Sequence, residues 1–375
     1  MRQVVPTKSP PLPPKKESDQ KKDAAKLIIS LSPPSSLKIG VLGCTGSVGQ
    51  RFVLLLAQHP FLRLHAVGAS SRSEGKRYRE AVRWKQDRPM GDHVGDMVVR
   101  ACRAVEFADC DVVFSGLDSD VAGDIGASAS RNSSRPTSPS SPMPKTIVKT
   151  RSVRSLSRGL LVCNSNCAVI GLVLPLAGLQ SAFGPITSVS VVTLQALSGA
   201  GYPGVPAADL VDNVVPFIQG EEDKLESEAR KILGQLDHER VAILHQLSLR
   251  VSATCNRVPV QDGHTACVSL SFQRRPPPDA AACRDALRRY VADVQTLGCP
   301  SAPVPPIFVL DEQDRPQPRL DRHLGNGYAV SVGRLRADES GVFDIKFTAL
   351  SHNTIIGAAG SSILNAEAAV LKGYI

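Results

Sequence analysis

Three observations predict an α/β protein of two domains from this chain of 375 residues. A short apolar run, LKIGVLG, is followed by helical apolar spacing in SVGQRFVLLLAQHP and by a second apolar run, LRLHAVGAS, the order of a βαβ unit. Glycines fall at the turn between the first run and the helix, where a nucleotide-binding sheet places its phosphate loop. Farther on, long apolar runs alternate with amphipathic helical segments, which suits a second, α+β domain. The predicted architecture is therefore a Rossmann-type dinucleotide-binding domain plus an α+β domain.

Residues 1–36, rich in Pro, Lys and Ser, are expected to form a disordered lead-in. Glu17, Asp19 and Asp23 argue against a transit peptide, and the segment lacks the apolar core of a secretory signal. From Leu37 the pattern changes: residues 37–43 read as strand, 47–60 as helix and 62–70 as strand. CDVVFSGL, from Cys110, is a further buried strand. SVSVVTLQALSG, from Ser188, is a long strand, and HTACVSLSF, from His264, is another. EEDKLESEARKILG, opening at Glu221, is an amphipathic helix with a glycine stop at Gly234, and AAGSSILNAEAAVLKGY closes the chain as a helix.

Composition narrows the function. Apolar residues make up 42% of the chain, as in a globular protein, and no apolar stretch approaches the ~20 residues of a membrane span. The nine cysteines contain no CxxC pair and are too sparse for a disulfide framework, so reduced thiols, a cytoplasmic setting and no metal centre are expected. The formal net charge of +9 is concentrated in residues 1–36, with seven Lys/Arg against three Asp/Glu, and in residues 126–159, with seven against none. The remainder is slightly acidic, and no nucleic-acid-binding signature accompanies the charge, so nucleic acid is not expected as a partner.

Gly43-Cys44-Thr45-Gly46-Ser47-Val48-Gly49 carries the first chemistry. Glycines let the backbone turn tightly and approach a pyrophosphate, which rests on free N–H groups at a helix N-terminus. After the second strand, where an NAD enzyme carries an acid for the ribose hydroxyl, the chain has Ser70-Ser71-Arg72-Ser73; hydroxyls and a guanidinium suit a 2′-phosphate, so NADP is favoured. In LLVCNSNCAVIGLVL an apolar strand ends in Asn-Ser-Asn, and Cys167 opens an apolar helix whose N-terminus would raise its thiolate fraction. Cys163, inside the strand, reads as packing. His264 is the candidate partner for the thiol proton, and Arg257 offers a fork suited to a carboxylate.

In chain order, GCTGSVGQRF, SSRSEGKRY, VCNSNCAVIGL, LQALSGAGYPGVP, NVVPFIQGEEDKLESEARKILG, ATCNRVPVQDGHT, RPQPRLDRHLGNG and HNTIIGAAGSSILNAE resemble aspartate-semialdehyde dehydrogenases of the archaeal and fungal type. The resemblance covers nearly everything from Leu37 onward except about residues 126–158. It implies that Cys167 attacks the aldehyde of aspartate 4-semialdehyde, that a hydride passes to NADP, and that inorganic phosphate releases the thioester as 4-aspartyl phosphate, the cell running the reverse toward lysine, methionine and threonine. It implies His264 as acid/base, Gln195 as a positioning group, Arg257 on the α-carboxylate, and Glu221 with Lys224 on the α-amino group and phosphate. Gly43, Thr45, Gly46, Ser47 and Val48, the turn Ser71, Arg72 and Ser73, then Ser198, Gly199, Gly201 and Asn353 match cofactor positions. Residues 37–165 with 350–375 would bind NADP, and 166–349 would carry catalysis and dimerisation in a homodimer or homotetramer.

Between the strand at Cys110 and the cysteine block the family carries a segment like VFSNAKNYR, with a phosphate-binding arginine; this chain has Ser, Arg and Pro instead, as in PSSPMPKTIVKT. Read one base out of step from Pro139 to Arg158, the codons can spell V-F-S-N-A-K-N-Y-R-Q-D-P-L-G-P-L-V-V-P, so residues 126–158 read as an out-of-frame segment. As written, the chain would lack that arginine, and the sheet would lose an interior strand and the partners of its backbone groups. The rivals are a related acyl-phosphate reductase of the N-acetyl-glutamyl-phosphate type, and an inactive or regulatory protein that uses the basic segment as an arm.

Overall fold

The first apolar run forms strand β1 (Leu37–Leu42), buried from Ile39 onward as a central parallel strand must be. The computed structural model describes residues 36–117, 146–148, 160–237 and 242–375. The lead-in and most of 126–158 lie outside the described residues. Gly43 leaves β1 at φ +68° and the chain enters helix α1 (Ser47–Leu56) before returning to β2 (Leu62–Ala69). The helix stops short of the expected residue 60, because Pro60 disfavours helical backbone at His59. β3 (Arg100–Ala101) and β4 (Val112–Ser115) flank this pair, all running parallel.

The sheet is completed by β5 (Thr146–Val148) and β6 (Leu160–Val162), in the order β3-β2-β1-β4-β5-β6. Here the expected loss of an interior strand is corrected. β5, drawn from the anomalous segment itself, pairs antiparallel with β4 through Val112–Val148, Val113–Ile147 and Phe114–Thr146, and antiparallel with β6 on its other side. Three β-compatible residues, Thr-Ile-Val, suffice to supply that ladder.

Helix α2 (Cys167–Phe183) is apolar all round and packs in the second core with Val189 and Val191 of β7 (Ile186–Gln195) and with residues of later strands. Helix α3 (Glu221–Ile232), a two-stranded ribbon of β8 (Gln235–Asp237) and β9 (Ala242–Leu244), then β10 (Arg250–Arg257) and β11 (His264–Phe272) follow. Helix α4 (Ala280–Arg289), β12 (Ile307–Val309), β13 (Val330–Ala337) and β14 (Ile345–Ser351) complete the second sheet, ordered β10-β7-β11-β14-β13-β12. The chain closes with α5 (Gly360–Leu371), entered through a π-helical segment, Ile355–Ala359. Ala359, Ile363 and Ala366 of this last stretch pack back into the first core, beside Ile39, Val41, Phe52 and Phe114.

The second sheet matters most for what happens at its ends. β10 runs parallel to β7 with Arg257 opposite Gln195, and β11 runs antiparallel to β7 with Thr265 opposite Leu194. The register thus brings Arg257, Gln195 and His264 to one edge of one sheet. The long strand expected through Gly199 ends instead at Gln195; residues Leu197–Ala200 form a single 3₁₀ turn, tied by Leu197 N–H to Val260 O and Ser198 N–H to Gln261 O.

Candidate active site

β6 delivers Asn164-Ser165-Asn166 to the start of α2. Asn166 caps that helix, its side-chain oxygen accepting from the N–H groups of Ala168 at 2.8 Å and Val169 at 3.3 Å. Cys167 is the first helical residue, where the partial positive charge of the helix end favours a thiolate. Its Sγ lies 3.4 Å from Nε2 of His264. Residues 97 apart in sequence therefore meet in a geometry that suits a thiol and a proton-bearing partner.

His264 is almost fully buried, and its Nδ1 accepts a hydrogen bond from the backbone N–H of Ala196 at 3.0 Å. The carbonyl oxygen of the same Ala196 accepts from Nη1 of Arg257 at 2.7 Å. Burial, and next to it the Arg257 guanidinium, push the imidazole down to about 3. Burial also lowers Arg257 from its ordinary value, opposed by the nearby Cys167 and Glu221.

Glu221, first residue of α3, is buried against Asn166, the residue before Cys167. Its carboxylate accepts from Asn166 Nδ2 at 2.9 and 3.0 Å, from Gln195 Nε2 at 3.2 Å and from Lys224 Nζ at 3.1 Å. Gln195 and Lys224 thus converge on one carboxylate. Glu228, two turns along α3 on the same face, accepts from the backbone N–H of Asn166 at 2.7 Å. Two carboxylates of one helix hold the residue that precedes Cys167. Asn166 was visible only as part of an Asn-Ser-Asn string, and Glu228 carried no signal distinguishing it from the solvated acids around it.

Asn353 accepts from Gly263 N–H at 2.8 Å and donates to Ser198 Oγ at 2.7 Å, which ties the Leu197–Ala200 turn to the loop that carries His264. Gly199 lies over the buried pair: a Cβ there would sit 2.9 Å from Arg257 Nη1 and 3.0 Å from His264 Cε1. Gly201 follows at φ +74°.

The glycine turn is built for close approach. Gly46 caps α1 without a side-chain bond, and a Cβ on Gly49 would come within 2.1 Å of Gly43 O. The loop is braced from outside by Tyr78, whose hydroxyl donates to Cys44 O at 2.7 Å, and by Gln50, whose amide donates to Thr45 O at 2.8 Å. Both are buried supports that the motif alone did not reveal. Ser71 and Arg72 are exposed and Ser73 half-buried in a turn closed by Ser73 N–H to Ser70 O at 2.9 Å. A turn kept open by glycine at positions 43, 46 and 49 before a helix N-terminus, with a guanidinium beyond the second strand, fits NADP.

A nucleotide cradle on one sheet, and on the other a half-buried cysteine beside a buried histidine and a buried arginine, define the class as a nicotinamide-dependent dehydrogenase. Residues 38–136 match the family model described as "Semialdehyde dehydrogenase, NAD binding domain", and residues 176–356 match "Semialdehyde dehydrogenase, dimerisation domain". The aspartate-semialdehyde dehydrogenase of Trichophyton rubrum is 56% identical, with 92% of this chain and 100% of that protein covered. That of Saccharomyces cerevisiae is 46% identical, covering 90% and 98%. The crystal structure of the Candida albicans enzyme with NADP superposes with a TM-score of 0.78 at 44% identity, over 91% of this chain and 100% of that one. The chain belongs to the aspartate-semialdehyde dehydrogenase family. Among the described residues no helix is long and apolar enough to cross a membrane.

Proposed function

We propose that the protein interconverts 4-aspartyl phosphate and aspartate 4-semialdehyde with NADP through a thioester on Cys167, in lysine, methionine and threonine biosynthesis. The observation that carries this reading is the Cys167–His264 pair, 3.4 Å apart at the N-terminus of α2, inside a chain so close to its fungal relatives. Cys167 is the nucleophile toward the carbonyl carbon. His264 stands within reach of the sulfur and of the oxygen of the carbonyl group whose carbon the sulfur attacks. Arg257 binds the α-carboxylate, Glu221 the α-amino group, and Lys224 the phosphate, while Gln195 holds the Glu221 side of the site. The loop Gly43–Val48, the turn Ser71–Ser73, Ser198, Gly199, Gly201 and Asn353 hold NADP, which when bound supplies or accepts the hydride.

The dimerisation-domain match supports self-association, as a homodimer or homotetramer, and a cytoplasmic setting suits the reduced thiols. Residues 126–158 are read as an out-of-frame segment, and sequencing the transcript from the codon for Asp118 to that for Cys167 tests this. The function is tested by following NADP reduction with aspartate 4-semialdehyde and N-acetyl-glutamate 5-semialdehyde, each with and without phosphate. Phosphate-dependent reduction with the first alone is expected; turnover of the second instead would replace the assignment.

A further inference from the structure

We propose that the backbone N–H of Ala196 fixes His264 as a neutral imidazole with its proton on Nε2, so that the ring donates hydrogen bonds to Cys167 Sγ and to the reacting carbonyl oxygen and never takes the thiol proton. This rests on the reaction proposed above and assigns the state in which its central side chain works.

A backbone amide can only donate. Ala196 N–H points at His264 Nδ1 from 3.0 Å, so Nδ1 presents a lone pair and holds no proton. Ala196 is fully buried, and a ring turned by half a rotation would leave its N–H without an acceptor. The proton of a neutral ring is therefore on Nε2, the nitrogen 3.4 Å from Cys167 Sγ. A second proton would set N–H against N–H in a dry site. Among the described residues, the titratable and charged groups that face the ring are Cys167 from α2, Arg257 from β10 and His352 from the segment after β14. Of these Arg257 is cationic and locked in place by Ala196 O, so it opposes an imidazolium and favours a thiolate. One residue thus sets both partners of the nucleophile, through its N–H and its C=O.

The chemistry balances without a proton passing through the ring. Attack of the thiolate on 4-aspartyl phosphate forms the C–S bond and breaks the bond to the phosphate oxygen, and the departing phosphate takes its proton from solvent. Hydride addition to the thioester carbon leaves an oxyanion, which collapses to the aldehyde as the C–S bond breaks and the thiolate returns. Both oxyanions and the thiolate call for a hydrogen-bond donor, which a neutral imidazole supplies at fixed geometry. The alternative, a thiolate–imidazolium ion pair, needs a donor at Nδ1 that the Ala196 amide forbids.

The test uses the full-length protein labelled with ¹⁵N-histidine, the His264 signals being those lost in His264→Gln. The expected result is a pyridine-type Nδ1 and a pyrrole-type Nε2, unchanged between about pH 5 and 9. Two pyrrole-type nitrogens in that range would overturn the proposal. Independently, the alkylation rate of Cys167, followed on its own peptide by mass spectrometry, is expected to rise once with pH; two rises separated by a plateau, the mark of an ion pair, would also overturn it. Neither readout depends on turnover, so failure of the assigned reaction and failure of the assigned tautomer are seen separately.

Discussion

Gly199→Ala is the substitution whose consequence follows most closely from the distances in the site. Its Cβ would sit 2.9 Å from Arg257 Nη1 and 3.0 Å from His264 Cε1, where ordinary contact begins at about 3.4 Å. Each group must therefore yield by about half an ångström. Neither is free to do so: Arg257 is held on Ala196 O at 2.7 Å and His264 on Ala196 N at 3.0 Å. A misplacement of about 1 Å costs a reaction about 10²-fold, so kcat/KM should fall about ten- to a hundredfold. Gly199 itself is exposed, so the fold should lose only about 1 kcal/mol, the low end for added volume. Steady-state kinetics beside thermal unfolding measure the two. A variant with wild-type kcat/KM would refute the claim that Gly199 keeps the approach to Arg257 and His264 open.

Three further outcomes follow from the same geometry. Arg72→Ala should raise KM for NADP about tenfold or more while leaving KM for NAD nearly unchanged, through loss of one charge-assisted bond to the 2′-phosphate; equal shifts for both cofactors would remove Arg72 from that role. Asn166→Ala removes the cap of α2 and a partner of Glu221, so the protein should lose about 1 kcal/mol in denaturant titration and kcat should drop with it; unchanged kcat would show that the cap does not position Cys167. His264 is pushed by burial from 6.5 to about 3, and His352 from 6.5 to about 4. Because the folded values lie below the unfolded one, the unfolded chain binds more protons as pH falls below about 6.5, and stability drops through that window while it is fully present above it. Unfolding midpoints that stay level from about pH 7 to 5 would contradict the burial of neutral rings.

Strong local patterns were legible in the sequence. The βαβ opening, the glycine turn, the helix at Glu221 and the cysteine at a helix start are all written in residues close together, where periodicity and caps act. The strand pattern runs four residues past the strand's end at Gln195, because Ala-Leu-Ser-Gly is as compatible with a strand as with a turn until Val260 and Gln261 capture its amides. Strands β10, β13 and β14 are not legible in local pattern, their pairing being set by partners far away in sequence. In the candidate site, the side chains with unusual chemistry, Cys167, His264 and Arg257, stand out in the sequence, and the structure brings them together. What was missed acts through backbone or as support: the N–H and C=O of Ala196, the carboxylate of Glu228, and Tyr78 and Gln50 behind the glycine loop. A backbone amide has no signature in a sequence, and a supporting carboxylate looks like any solvated one.

The anomalous segment is the instructive case. Its composition argued for a missing strand, yet Thr146–Val148 pairs on both edges and keeps β4 and β6 in one sheet. A ladder needs backbone groups and a few β-branched side chains, whereas a phosphate site needs one particular arginine at one place. Sheet continuity and full activity are therefore separate questions for this chain.

The most direct test of the whole account is to trap the acyl enzyme. The protein is mixed with aspartate 4-semialdehyde and NADP without phosphate, quenched in acid, and its Cys167 peptide weighed. The account predicts a mass increase equal to the aspartyl group on Cys167, removed when phosphate is added and absent in Cys167→Ala. NADP reduction with Cys167 unmodified, or persisting in Cys167→Ala, would contradict it.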